Sequence, residues 1–178
     1  EDDRSSLVDS VFGGELGGSN VPGNFDIYGV LLDALGQPLT TAPLRINSDT
    51  WGQRDPDVAW NGSEYLVVFS SVRPTATYFS RGIYAVRVTA GGTVLDPTPI
   101  LVDDTPGIDE SLPVVASNNG RWLVVWTDVG PTGYDVQRSA FVSATGVVGP
   151  ISVLVSTPPG TPPTQVDLTA TGSRFALT

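Results

Sequence analysis

The sequence predicts an all-β fold, and three observations carry this prediction. Short runs of alternating or continuous apolar residues recur along the 178 residues, whereas no apolar pattern of helical period extends beyond two turns. The 20 glycines and 15 prolines are spread along the chain, as frequent turns between short strands require. Two blocks of sequence also recur at a nearly constant spacing, which is typical of repeat architectures.

The first repeated block covers residues 56–69, with Pro-x-Val-Ala at its start and Tyr-Leu-Val-Val-Phe at its end. It recurs over residues 113–126 and, in a weaker form that is cut short, over residues 165–178. The block also contains the dipeptides Asn61-Gly62 and Asn119-Gly120. Because both residues of such a pair reach positive φ at low cost, we expect them to form two-residue hairpin turns.

The second repeated block lies between copies of the first and ends in an Ala-x-Gly turn. These turns fall at residues 34–36, 90–92 and 144–146, with spacings of 56 and 54 residues. The aromatic position of the first block gives spacings of 57 and 53 residues. Two independent blocks therefore agree on one period, which argues against a chance similarity.

Within one repeat we assign four antiparallel strands, labelled A to D. Strand A is the short segment Val58–Trp60, and strand D is Pro99–Val102. Strand B is Tyr65–Phe69, whose continuous apolar sequence is typical of a strand that is covered on both faces. Strand C is Ile83–Thr89, which is rich in β-branched and aromatic residues.

Four strands in about 53–57 residues have the size of one blade of a β-propeller, in which neighbouring sheets cover each other's faces. The alternative is a β-sandwich of similar hairpins, although sandwiches seldom repeat their sequence so regularly. The chain then holds three blade equivalents. They are a Gly-rich loop or insertion at 1–24, a half blade of strands C and D at 25–48, blades at 56–104 and 113–156, and a half blade of strands A and B at 163–178.

The combination of Pro-x-Val-Ala, Asn-Gly, Tyr-Leu-Val-Val-Phe/Trp, Ile-Tyr-Gly/Ala and Ala-x-Gly resembles the repeats of secreted bacterial β-propeller-like proteins, many of unassigned function. The resemblance covers about residues 25–178, and the stretch Arg4–Asn24 departs from it. It implies a propeller fold and an extracellular or cell-surface location in a bacterium. It implies no catalytic residue.

The composition restricts the chemistry of the chain. There is no Cys, which excludes disulfides and thiolate nucleophiles, and no His, which is the usual general base and zinc ligand. The net charge of −10 argues against binding to nucleic acid or to anionic lipid. No apolar run approaches the roughly 18–20 residues of a membrane-spanning helix, so we expect no membrane insertion.

Four acidic residues are candidate ligands for Ca²⁺, which coordinates about six to eight oxygen atoms. Asp103, Asp104, Asp109 and Glu110 lie in one predicted loop between strands D and A. The sequence contains no Asp-x-Asp-x-Asp-Gly loop of the EF-hand type. The other interpretation is a solvated acidic loop that keeps exposed strand edges from pairing.

Three aromatic residues are candidate contacts for a ligand, because they lie outside the repeated strands. They are Trp51, Tyr78 and Phe79. Trp51 lies in a polar loop, and the alternative for this residue is that it folds back over the core. The aromatic residues that recur inside strands are expected in the core.

Two classes of function remain open. The first is a non-catalytic extracellular scaffold or binding and adhesion module, with a glycan or a protein as ligand. The second is the propeller portion of a larger secreted carbohydrate-active enzyme, since the same fold carries many unrelated activities. Three blade equivalents are too few to close a ring of about 4–8 blades. We therefore expect as partners either head-to-tail copies of the chain or further blades of a longer chain.

Overall fold

The structure is a computed structural model, and it describes residues 6–12, 25–47, 51–74, 79–129, 135–156 and 166–178. These segments form thirteen strands and no helix, which confirms the predicted all-β class. Within them, no helix has the length and apolar character needed to cross a membrane. The strands make four antiparallel sheets of two to four strands, which we number sheet 1 to sheet 4 in chain order.

Each sheet is a meander in which neighbouring strands follow one another in the chain. The bounds of the strands are, in sheet 1, β1 (Ser6–Phe12), β2 (Asp26–Leu32) and β3 (Leu44–Arg45); in sheet 2, β4 (Gln53–Trp60), β5 (Glu64–Pro74), β6 (Phe79–Thr89) and β7 (Ile100–Asp103); in sheet 3, β8 (Asp109–Asn118), β9 (Arg121–Val129), β10 (Asp135–Val142) and β11 (Ser152–Ser156); and in sheet 4, β12 (Leu168–Thr171) and β13 (Arg174–Leu177). Sheets 2 and 3 each contain the predicted strands A to D in order. The four sheets do not close into a barrel or ring within the described segments.

Sheet 1 has one strand more than the sequence suggested. Residues 6–12 form β1, which pairs with β2 along its whole length. In sheet 2, β5 pairs with β6 in the same manner, so β1 takes the place of strand B. Part of the stretch 1–24 that we predicted as a loop is therefore a strand. Its valine, leucine and phenylalanine residues favour a strand, but the neighbouring glycines obscure this preference in the sequence.

Strand A is longer than predicted in both four-stranded sheets. It continues toward the N-terminus beyond a bulge that the prediction did not include. In β4, Asp55 and Pro56 together oppose a single residue of β5, and in β8 Leu112 and Pro113 do the same opposite β9. Asp55 and Leu112 both have a φ of 53°. Proline lacks the N–H group that a regular ladder position would use, so it fits at a bulge. The Pro-x-Val-Ala motif therefore marks a bulge inside strand A.

The hairpin between strands A and B agrees with the prediction in one repeat and differs in the other. In sheet 3, Asn119 and Gly120 form the two-residue turn, with φ of 53° and 75°. In sheet 2 the turn consists of Gly62 and Ser63, and Asn61 comes before it. Asn61 Oδ1 accepts a hydrogen bond from the N–H of Ser63 at 2.9 Å. The amide side chain thus stabilises the turn from its flank.

Apolar clusters fill the spaces between successive sheets. On β5, Val67 and Phe69 belong to the cluster shared with sheet 1, whereas Leu66 and Val68 belong to the cluster shared with sheet 3. This arrangement explains why strand B is apolar at every position. Phe69 and its counterpart Trp126 in sheet 3 are both fully buried, as the repeat predicts.

The contacts between successive sheets repeat along the stack. Leu31 of β2 lies against the Ala-x-Gly turn of sheet 2, where a Cβ atom on Gly92 would lie 3.1 Å from Leu31 Cδ1. One repeat later, Arg87 Nη1 of β6 donates a hydrogen bond of 2.7 Å to the carbonyl oxygen of Ala144, in the equivalent turn of sheet 3. Sheet 2 therefore meets sheet 1 in the same way as sheet 3 meets sheet 2.

The strands A of sheets 2, 3 and 4 also lie side by side, since β4 contacts β8 and β8 contacts β12. Hydrogen bonds connect sheets 2 and 3 beside this row. Asp57 Oδ2 accepts from the N–H of Val115 at 2.7 Å, and the indole Nε1 of Trp122 donates to the carbonyl oxygen of Ala59 at 2.9 Å. The strands A of three sheets thus form one continuous row.

Candidate functional site

Three buried carboxyl groups meet where sheets 2 and 3 join. Asp103 is the last residue of β7, Glu110 is the second residue of β8, and Asp128 is the last but one in β9. One carboxylate oxygen from each residue lies within 4.8 Å of the corresponding oxygens of the other two. The exposed fraction is 9% for Asp103, 3% for Asp128 and 0% for Glu110. We call these three residues the acidic triad.

Asp128 has partners on both of its carboxylate oxygens. Oδ1 accepts a hydrogen bond from the indole Nε1 of Trp126 at 3.0 Å, and Oδ2 forms an ion pair with Nε of Arg138. Trp126 is itself fully buried, so it holds the Asp128 carboxylate in a fixed position. Arg138 supplies one positive charge to the triad.

Glu110 and Asp103 are each bound through one oxygen only. Glu110 Oε1 accepts from the N–H of Thr105 at 2.8 Å, and Asp103 Oδ1 accepts from the hydroxyl of Thr105 at 3.2 Å. Glu110 Oε2 and Asp103 Oδ2 are buried and have no hydrogen-bond partner among the described residues. Burial of a carboxylate oxygen without a hydrogen-bond partner destabilises the fold, and a bound proton or cation would remove this cost.

Burial raises the pKa of Glu110 to about 8; the N–H of Thr105 acts against this shift, and the charges of the neighbouring aspartates add to it. Burial also raises the pKa of Asp128, against the effect of Arg138. If all three carboxylates are ionised, the single positive charge of Arg138 does not balance their negative charge. The triad needs a further positive charge, from a proton or from a metal ion, at neutral pH.

The structure places two of the four predicted calcium ligands in the triad. These are Asp103 and Glu110. Asp104, which follows Asp103 in the chain, is half-buried. Asp109 instead forms a bidentate ion pair with Arg81, with Nε to Oδ1 at 2.8 Å and Nη2 to Oδ2 at 2.5 Å. Although burial acts in the opposite direction, Arg81 holds the pKa of Asp109 below its ordinary value. Asp109 therefore neutralises an arginine.

Asp128 is the residue of the triad that the sequence analysis did not identify, because its position depends on the bulge. Counted from the Asn119-Gly120 turn alone, Glu110 would face Val129. The bulge adds one residue to β8 and shifts the pairing, so that Glu110 faces Asp128. The available signal was Pro113, since a proline inside a strand pattern indicates a bulge.

The structure does not bring the three aromatic candidates together into a ligand-binding site among the described residues. Trp51 is half-buried in the bend before β4, and its carbonyl oxygen accepts a hydrogen bond of 2.7 Å from Gln53 Nε2. Tyr78 lies outside the described residues. Phe79 is the first residue of β6, where it pairs with Pro74. Their role as ligand contacts stays a prediction.

An open cleft of about 670 Å³ lies where the bulges of successive strands A come together. Its lining consists of residues 55–57, 112–114, 166–167 and 178. Within it, the Asp57 carboxylate accepts backbone hydrogen bonds from Val58 at 2.8 Å and Val115 at 2.7 Å. Burial raises the pKa of Asp57, and both of these bonds act to lower it. This carboxylate therefore connects sheets 2 and 3 within the cleft.

A scan against protein-family models and a search of the curated proteins each found no match to this chain.

Proposed function

We propose that the chain is part of an extracellular bacterial β-propeller that acts as a non-catalytic scaffold for binding. The observation that carries this proposal is the repeated contact between successive sheets. Leu31 and Arg87 stand 56 residues apart, and each contacts the Ala-x-Gly turn of the following sheet. A stack of four-stranded meanders that grows by one constant step is how propellers are built.

In this proposal the row of strands A lines the central channel, and the cleft at their bulges is one mouth of that channel. Bulges turn side chains out of the sheet, so several blades can present groups to one ligand there. The lining combines the carboxyl groups of Asp55, Asp57 and Asp167 with apolar residues. Negative charge at this mouth favours an uncharged glycan or a basic protein segment over an anionic ligand.

We further propose that strands C and D of another blade complete sheet 4, whose two strands pack on sheet 3. All five residues of β11 are exposed, including Val153, Leu154 and Val155. The equivalent strand of sheet 2, β7, is covered by sheet 3, and its Val102 is buried. An uncovered apolar strand of this kind promotes aggregation. The completing strands would cover β11, and they belong either to a head-to-tail copy of the chain or to further blades of a longer chain.

Native mass spectrometry combined with electron microscopy tests the ring. We expect closed particles with at least four blades, either from several copies of this chain or from the longer polypeptide. Hydrogen exchange should show slow exchange of the β11 amides in these particles. A stable monomer near 18.7 kDa with protected terminal strands would rule out the ring of copies.

A glycan array and a binding screen with basic peptides test the cleft. Asp167→Asn removes one charge from the cleft and should weaken ligand binding, whereas Asp33→Asn removes one charge from a turn of sheet 1 and should not. Asparagine can keep the local backbone contact in both variants, namely the hydrogen bonds that Leu168 and Leu35 donate to these side chains. Equal weakening by both variants would show that the cleft is not the binding site. A hydrolase panel run on the same material addresses the alternative, and turnover there would favour the enzyme portion.

A further inference from the structure

The charge of the acidic triad is not balanced by its surroundings. Arg138 forms an ion pair with Asp128, and Arg81 is engaged by Asp109. With all three carboxylates ionised, the triad and Arg138 together carry a net charge of −2. Burial of uncompensated charge costs several kcal/mol, so a divalent cation between these oxygens would stabilise the fold. Glu110 Oε2 and Asp103 Oδ2 have no hydrogen-bond partner within the described segments, so these two oxygens are available to bind the cation.

The preceding repeat supplies an internal comparison at the same place. Pairing register and spacing align Asp103 with Asn47, and Glu110 with Gln53. Asn47 and Gln53 are also buried, with exposed fractions of 6% and 0%. Neutral amides therefore fill these positions between sheets 1 and 2. Because the fold accepts neutral side chains here, the carboxylates between sheets 2 and 3 are not required by packing.

The geometry of the triad is compatible with one bound Ca²⁺ ion. Oxygens bound to one Ca²⁺ at about 2.3–2.6 Å can lie up to about 5 Å apart, and Ca²⁺ accepts irregular ligand geometry, whereas Mg²⁺ requires a near-ideal octahedron. The triad oxygens all lie within 4.8 Å of one another, so one Ca²⁺ ion can reach all three. We propose that Asp103, Glu110 and Asp128 bind one Ca²⁺ ion between sheets 2 and 3. The ion joins β7, β8 and β9 and so connects two successive sheets.

Luminescence of Tb³⁺, which substitutes for Ca²⁺, tests this site directly. The indole of Trp126 donates to Asp128 at 3.0 Å, so excitation of tryptophan should sensitise a bound Tb³⁺ ion. We expect one sensitised ion per chain, displaced by Ca²⁺ with a Kd on the order of 10⁻⁴–10⁻³ M. Addition of about 5 mM Ca²⁺ to protein treated with a chelator should raise Tm by about 3–8 °C.

The double variant Asp103→Asn/Glu110→Gln introduces the residues of the preceding repeat and leaves the Asp128–Arg138 ion pair intact. It should fold without Ca²⁺, and it should lose both the Tb³⁺ signal and the Ca²⁺-dependent rise in Tm. Glu110→Gln alone should raise the Kd at least about tenfold, because one ligand charge is lost. Asp33→Asn, which removes one charge from the turn of sheet 1, should leave both signals unchanged.

Two results would overturn the proposal. If the wild-type chain shows neither sensitised Tb³⁺ emission nor a Ca²⁺-dependent change in Tm, Glu110 holds a proton and the triad binds no ion. If the double variant keeps the wild-type response, the ion binds elsewhere on the acidic surface.

Discussion

The indole nitrogen of Trp122 donates a hydrogen bond of 2.9 Å to the carbonyl oxygen of Ala59, which lies 63 residues earlier in the chain and in the neighbouring sheet. Trp122 is fully buried, so this bond is shielded from water. It connects two copies of the same repeat and therefore defines their relative position. Such a bond between equivalent units is what distinguishes an ordered stack from a row of independent sheets.

Replacement of Trp122 by Phe tests the contribution of this bond. The variant keeps an aromatic ring but removes the donor, so we expect the free energy of unfolding to fall by about 1–3 kcal/mol in urea titrations. Trp60→Phe is the matched control, because Trp60 is half-buried and packs on Tyr65 with ring centroids 4.6 Å apart. The control should lose less than about 1 kcal/mol. If both variants lose the same free energy of unfolding, the hydrogen bond between the sheets makes no particular contribution to stability.

Truncation of Phe69 to Ala should be among the most damaging single changes. The ring is fully buried between sheets 1 and 2, so its loss leaves a cavity and should cost about 3–5 kcal/mol. Phe175→Ala, in half-buried contact with Phe141, should cost less. Thermal and urea unfolding provide both values. A loss below about 1 kcal/mol for Phe69→Ala would contradict the burial of strand B on both faces.

Exchange of residues between repeats tests the equivalence of the sheets. Arg87 is paired with the well-buried Asp96, with Nη2 to Oδ1 at 2.8 Å, so Arg87→Leu alone should destabilise the chain by about 1–3 kcal/mol. Sheet 1 has Leu31 and Thr40 at the corresponding positions. The double variant Arg87→Leu/Asp96→Thr should therefore recover most of the loss. If Asp96→Thr does not improve the stability of Arg87→Leu, the interface between sheets 1 and 2 differs from that between sheets 2 and 3.

Gly82→Ala should affect both stability and the acidic triad. A Cβ atom at this position would lie 2.9 Å from the carbonyl oxygen of Asp103, and backbone of this kind yields only by distortion. We expect a cost of about 1–3 kcal/mol and a smaller Ca²⁺-dependent rise in Tm. Gly149→Ala is the control, since its nearest contact would be an ordinary 3.5 Å. That variant should change stability by less than about 0.5 kcal/mol.

The sequence alone determined the all-β class, the period and the core, although it did not reveal β1. Apolar runs such as Tyr65–Phe69 identify a strand that is covered on both faces, and the recurrence of this run at residues 122–126 identifies an equivalent unit. These properties depend on local pattern and on side-chain hydrophobicity, which can be read along the chain. The sequence also indicated Asp103 and Glu110 as candidate cation ligands, together with Asp104 and Asp109, because all four lie close together in the chain.

Only the tertiary structure decided which acidic groups meet. A bulge at Leu112 and Pro113 shifts the pairing by one residue and brings Asp128 opposite Glu110, while Asp109 binds Arg81. Pairing between strands depends on backbone hydrogen bonds whose register a single added residue changes. The partners of a side chain across two sheets depend in turn on that register. Pro113 indicates a bulge in the sequence, but the residues that this bulge brings together are defined only by the packing of the two sheets.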